Sequence, residues 1–143
     1  KPTHVPYRGI APAINDLQGG HVDFLVAGSS SALPLIRGGN AKPLAILSKT
    51  RSSLMPQVPT AIEQGVNAES AGWYGVLAPA GTPRDIVAKL NTEINKLMSS
   101  PDTRKAMFDA GVEVSTSTPE AMTDYIGQFT TKTQSILNFL NTI

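Results

Sequence analysis

The sequence contains no cysteine. Disulfides, thiolate catalysis and zinc–thiolate sites are thereby excluded, while the redox compartment stays open. Charge is sparse as well: 16% of residues are charged, the net charge is +1, and no run of basic residues occurs. Nucleic-acid binding needs a basic stripe, so that partner class is set aside. No apolar run approaches the length of a bilayer span. Histidine occurs only at His4 and His21, without His-x-x-x-His spacing, so a metal would have to be held mostly by carboxylates. We therefore expect no metal and no cofactor. What is present is a 143-residue chain, 41% hydrophobic, which is the composition of a folded protein rather than a disordered tail. Its length suffices for one domain burying roughly two-thirds of its unfolded surface.

The organising stretch is Val5-Pro6-Tyr7-Arg8-Gly9-Ile10-Ala11-Pro12-Ala13. Pro6 blocks helix and holds the residue before it extended. Pro12 suits a first helical turn, because its missing N–H has no partner there anyway. Strand, tight loop and helix N-terminus follow in that order. The N–H groups of Gly9, Ile10, Ala11 and Ala13 then border the loop, and such a terminus attracts anions through unpaired donors and its dipole. The alternative is an ordinary connection that binds nothing.

Elsewhere the sequence predicts strands at 3–5, 23–27, 43–47, 71–77 and 112–114, and helices at 12–18 and 32–37 closed by Gly-Gly pairs. A serine of Gly28-Ser29-Ser30-Ser31 caps the second helix in this reading. Residues 48–59, rich in Ser and Pro, read as a long surface loop. Thr60 and Glu63 have capping-box spacing. Residues 79–81 form a turn. Thr82-Pro83, Ser100-Pro101-Asp102 and Thr118-Pro119-Glu120 are helix starts. Ile86, Val87, Leu90, Ile94, Leu97 and Met98 form one apolar stripe. Met122, Tyr125, Ile126, Phe129, Ile136, Leu137 and Leu140 form another, on the last and longest helix. Alternating strands and helices imply an α/β fold with a mainly parallel sheet and right-handed crossovers.

The ordered set of motifs resembles the Bug-type receptors of tripartite tricarboxylate transporters, which are periplasmic solute-binding proteins. Val5-Pro6-Tyr7-Arg8-Gly9, Gly19-Gly20-His21-Val22-Asp23, Ser31-Ala32-Leu33-Pro34 and Trp73-Tyr74-Gly75-Val76-Leu77-Ala78-Pro79 carry it. The resemblance implies two α/β lobes around a cleft, of which this chain is the second. Residues 1–117 would be that lobe, and 118–143 a helix packing toward the first lobe. The sequence opens on Lys1 and shows no secretory leader, which leads us to expect an excised C-terminal portion. A periplasmic location is implied by the resemblance alone.

The family's ligands are small carboxylates, and its partner is a membrane permease. Carried onto this chain, the resemblance points to the loops at Tyr7, Gly9, Ile10, Ala11, Pro12 and Ala13, and at Ala27, Gly28, Ser29 and Ser30. Both fall at C-terminal ends of expected parallel strands, where ligands settle in open α/β sheets. Each serine can donate to a carboxylate or cap its helix. Tyr7 can donate its hydroxyl or pack against the ligand. Of Trp73 and Tyr74 at most one is expected to wall the cleft, since strand neighbours point oppositely. Many relatives carry an acid, often followed by Asn, where this chain has Ala27-Gly28. That difference implies a ligand without a primary amine. An exposed tail helix would also favour a homodimer.

Two rivals remain. A hydrolase would need Gly-x-Ser-x-Gly, and Ser31 or Ala32 stands where the closing glycine belongs. No catalytic residue is therefore assigned. A sensory or protein-interaction module reusing a receptor lobe is the other.

Overall fold

The computed structural model describes residues 3–70 and 72–140. Five α-helices follow one another: α1 (Ile10–Gln18), α2 (Ser29–Arg37), α3 (Arg84–Ser99), α4 (Pro101–Asp109) and α5 (Pro119–Leu140), with a 3₁₀ turn at Ile62–Gln64. The chain divides into two compact units. The first comprises Lys1–Tyr74 and Ala106–Glu113, the second Gly75–Lys105 and Val114–Ile143. Residues 75–105, read above with the lobe, thus cluster with the tail helix. No helix among the described residues is long and apolar enough to cross a membrane.

The mainly parallel sheet is not formed among the described residues. Of the five expected strands only 43–47 pairs, through an isolated parallel bridge between Ile46 and Thr60. The Ile46 N–H donates to the Pro59 carbonyl and the Ala61 N–H to the Ile46 carbonyl, each at 2.9 Å. Residues 3–5, 23–27, 72–77 and 112–114 have no strand assignment, and residue 71 lies outside the described set. A strand needs a neighbouring strand for its backbone groups, and none is assigned beside these segments among the described residues. Residues 24–27 keep the two-residue alternation of extended chain. Leu25 and Ala27 are half-buried, whereas Phe24 and Val26 are 54% and 66% exposed.

In the first unit, local chemistry sets the helices. α1 starts at Ile10, two residues before the proline that was expected to open it, and Gly9 is its N-cap. It ends at Gly19. There the His21 N–H donates to the Asp16 carbonyl at 2.8 Å and the Gly20 N–H to the Leu17 carbonyl at 3.2 Å. This is the Schellman closure, with Gly20 left-handed at φ 72°. The same pair of bonds ends α2 at Leu35 and Ile36, and α4 at Met107 and Phe108. α2 starts at Ser29, three residues earlier than expected, with Gly28 rather than a serine as N-cap. Its first turn needs no side-chain cap to close, because the Ser31 and Ala32 N–H groups both reach the Gly28 carbonyl at 3.0 Å.

Leu33 of α2, Met55 and Val58 form the buried cluster, with Ile36, Ile46 and Leu54 packed against it. Residues 48–59 are therefore not a solvated loop. Their turns, closed by the Met55 N–H on Ser52 and the Val58 N–H on Met55, fold two apolar side chains inward. The capping box forms as its spacing predicts. The Glu63 N–H donates to Thr60 Oγ1 at 3.1 Å, and the Thr60 N–H to Glu63 Oε2 at 2.7 Å. Arg51 Nε donates to Glu63 at 2.9 Å.

In the second unit Ser100 and Thr118 cap α4 and α5: the Thr103 N–H donates to Ser100 Oγ and the Ala121 N–H to Thr118 Oγ1. Thr82 does not cap α3. Its hydroxyl donates to the Pro79 carbonyl at 2.8 Å and closes the turn. α3 packs on α5, and Asn91 and Asn95 donate to the Ser117 carbonyl. Val87, Ile94 and Met98 are half-buried, but Ile86, Leu90 and Leu97 of the same stripe are exposed. On α5, Tyr125 and Phe129 are exposed and stacked with centroids 6.3 Å apart. The side chains of Ile136, Leu137 and Leu140 lie outside the described set.

Two carboxylates give the first unit a pH dependence. Hydrogen bonds from the Thr60 backbone and from Arg51 hold Glu63 below the ordinary 4.5. Bonds from the Ser53 hydroxyl and N–H do the same for Glu113 against its burial. The unfolded chain takes up protons at these sites first as the pH falls. Their stabilisation is therefore complete above the ordinary value and is lost as the pH falls through the lowered folded values. Thermal melts should show a flat midpoint from about pH 7 to pH 5 and a fall below about pH 4.5, and Glu113→Gln should weaken that fall.

Candidate functional site

Both loops singled out in the sequence lie in the first unit, each opening into a nine-residue helix. The first N–H groups of a helix have no acceptor within it. In α1, Pro12 has no N–H, and Ala13 is only 3% exposed, which shields its N–H from an approaching ligand. Ile10 and Ala11 are thus the donors at that terminus. In α2 the Ser31 N–H is already used on Gly28, which leaves Ser29 and Ser30. Neither N-cap has a capping side chain, and neither first turn contains an acid. The positive ends of both dipoles are therefore uncompensated by the protein.

The structure brings some predicted residues together and leaves others apart. The Tyr7 hydroxyl donates to Asp16 Oδ2 at 2.7 Å, and that bond holds the phenol above its ordinary 10.0. Its one proton is therefore engaged within the protein. The three serines fall in the first turn of α2, half-buried, without the capping role open to them in the sequence. Trp73 is half-buried and Tyr74 is 82% exposed, as expected for neighbours on extended chain. No hydrogen bond joins the Tyr7–Ala13 loop to the Ala27–Ser30 loop among the described residues.

Three residues that the sequence reading left out bear on the site. Arg8 is exposed beside the α1 N-terminus, and its signal was being a cation inside the loop motif. Asp16 engages Tyr7. An acid in the last turn of a helix opposes the dipole, a sign that it serves a specific partner. Gly111 lies against the start of α2: a β-carbon there would stand 2.9 Å from Ser30 Cα and 3.1 Å from the Ser29 carbonyl. Its φ is +79°. Nothing local announces that close approach.

Chemically the arrangement offers backbone and hydroxyl donors for an anion. His21 follows the C-terminal end of α1, where its backbone N–H donates to the Asp16 carbonyl. Among the described residues no group of three or more metal-ligating side chains occurs. A shallow depression along α5, lined by Thr123, Asp124, Gly127, Gln128, Thr131 and Lys132, belongs to the surface of one helix.

The family model described as tripartite tricarboxylate transporter family receptor matches residues 1–142. A UPF0065 protein from the tcbD-tcbE intergenic region of Pseudomonas sp. strain P51 is 36% identical over 136 residues, covering 94% of this chain and 40% of that protein. BugT of Bordetella pertussis is 37% identical over 123 residues, covering 85% and 38%. Among solved structures, R. palustris Rpa4515 with adipate superposes with a TM-score of 0.85 at 30% identity, covering 94% of this chain and 45% of that one. MatC from Rhodopseudomonas palustris with bound malate superposes with a TM-score of 0.68 at 37% identity, covering 80% and 39%. The chain thus spans less than half the length of each of these four relatives.

Gly111→Ala would force a β-carbon into the α2 backbone and a left-handed conformation on alanine. We expect a loss of about 2–4 kcal/mol in urea unfolding. The Ser29 and Ser30 amide resonances should shift, while those of α5 stay unchanged.

Proposed function

The chain belongs to the tripartite tricarboxylate transporter receptor family, and from that premise we propose that it forms one ligand-facing lobe of a periplasmic receptor for a small carboxylate. The observation that carries this reading is the pair of uncompensated helix N-termini at Gly9 and Gly28, each with two backbone donors. Two solved relatives, those with adipate and malate, hold dicarboxylates. Ile10, Ala11, Ser29 and Ser30 would donate N–H groups to the ligand, with the serine hydroxyls donating directly or through water. Gly9, Pro12, Ala13 and Gly28 shape the two turns. The Tyr7 ring and one of Trp73 and Tyr74 supply apolar contact. The lobe is α/β in the complete receptor, where the extended segments 23–27 and 43–47 gain neighbours in a mainly parallel sheet. The cargo passes to a membrane permease. The exposed tail-helix residues Tyr125 and Phe129 would either face the other lobe or a second copy of the chain.

Ala27 places a methyl group where many relatives carry an acid, so nothing there receives an ammonium. The ligand is therefore a carboxylate without a primary amine.

A thermal-shift screen of the full-length protein and of the 143-residue chain tests this. Ligand at a hundred times its dissociation constant adds about 2.7 kcal/mol, several degrees for a protein of this size. Dicarboxylates should raise the full-length midpoint and move the single lobe little, because one set of donors leaves the ligand largely solvated. Preference for aspartate or glutamate would contradict the Ala27 argument. No shift with any carboxylate would contradict solute capture and favour a protein-binding module.

A further inference from the structure

We infer that Tyr7 and Asp16 act together as a lock that sets the path of residues 8–10, so that through this bond both position the α1 N-terminus and neither donates a hydrogen bond to the ligand. The inference rests on the carboxylate-receptor reading and deepens it. The Tyr7 hydroxyl donates to Asp16 Oδ2 at 2.7 Å across nine residues of sequence. Asp16 sits six residues beyond the first residue of α1, about 9 Å along the axis at 1.5 Å per residue. Tyr7 precedes that helix. Its ring must therefore lie back alongside α1, which turns the chain sharply through Arg8 and Gly9 before Ile10. The far end of the lock is itself fixed, since the Asp16 carbonyl accepts the His21 N–H at 2.8 Å in the helix closure.

Nothing else holds the near end. Gly9 has no side-chain cap bond and nothing within 4 Å of where its β-carbon would be. Residues 3–6 and 8–10 are exposed. Among the described residues the Tyr7–Asp16 bond is the one side-chain hydrogen bond made by residues 3–9. A phenol has a single proton, so a Tyr7 held this way does not donate to a ligand. Its effect on binding is to order Arg8, Gly9 and Ile10 before the ligand arrives, which lowers the ordering cost of association. The Asp16 charge is about 9 Å from the Ile10 end, near the Debye length at physiological salt, which keeps its repulsion of an anion small.

The test uses the full-length protein with Tyr7→Phe, Asp16→Leu, Asp16→Asn and the Tyr7→Phe/Asp16→Leu double variant. Backbone amide relaxation of the ligand-free protein reads the lock itself. We expect the order parameters of Arg8, Gly9 and Ile10 to fall from about 0.85 toward about 0.6 in Tyr7→Phe and Asp16→Leu, and to stay near wild type in Asp16→Asn, whose amide oxygen still accepts. Calorimetric titration with malate and with adipate reads the consequence. Tyr7→Phe and Asp16→Leu should each weaken binding about tenfold, and the double variant no further. Unchanged order parameters in Tyr7→Phe overturn the lock. So does a loss with Tyr7→Phe that Asp16→Leu lacks, which would make Tyr7 a direct ligand. If wild type binds neither acid while the order parameters respond as expected, the receptor reading fails and the loop lock stands.

Discussion

Gly111 lies so close to the first turn of α2 that no β-carbon fits between them, and the first unit depends on that contact. Its buried cluster is small: Leu33, Met55 and Val58, with Ala13 and Ala61 also buried. What holds residues 28–59 in register is the return of the chain at 106–113. Gly111 meets Ser29 and Ser30. Arg37, in the last turn of α2, donates to the Asp109 carbonyl at 3.2 Å, placing a cation at the negative end of α4. Glu113 accepts from the Ser53 N–H and hydroxyl. One segment, far away in sequence, thus fixes both ends of α2 and the turns packed beneath it. The position of Ser29 and Ser30 is set by a residue outside both donor loops.

The same economy appears at α1. Its N-terminus has no capping side chain, which leaves its first-turn donors open, as the proposed anion site requires. Order is supplied instead from the other end of the helix, through Asp16. At α2 the capping residue is again glycine, and its carbonyl alone closes the first turn. Both termini thus combine a fixed backbone with first-turn donors that no side chain caps. The relatives are solute-binding receptors.

Much of the helical structure was legible because its signals are local. Ser100, Thr118 and the Thr60–Glu63 pair cap where their spacing says they should, and the Gly-Gly pairs end α1 and α2. Legibility fails where two local groups compete. Gly28 takes the cap that a serine was expected to provide, and Thr82 spends its hydroxyl on Pro79. It fails again where composition misleads: the Ser- and Pro-rich stretch at 48–59 hides Met55 and Val58, which are buried. The strands were the least secure reading, because pairing is non-local. Phe24, Val26 and Leu44 have the residue types of a sheet, yet their outward faces are open here. The two donor loops were legible as motifs, but Gly111 and Asp16 were not, since each acts through a contact that only the fold creates.

The proposed capture of an anion by the first-turn donors of α1 and α2 can be read at the donors themselves, from the backbone amide resonances of the full-length protein during titration with malate and adipate. Ile10, Ala11, Ser29 and Ser30 should move together along one saturation curve, with α5 residues such as Gly127 unmoved. Saturable shifts confined to other segments, with these four amides still, would contradict it.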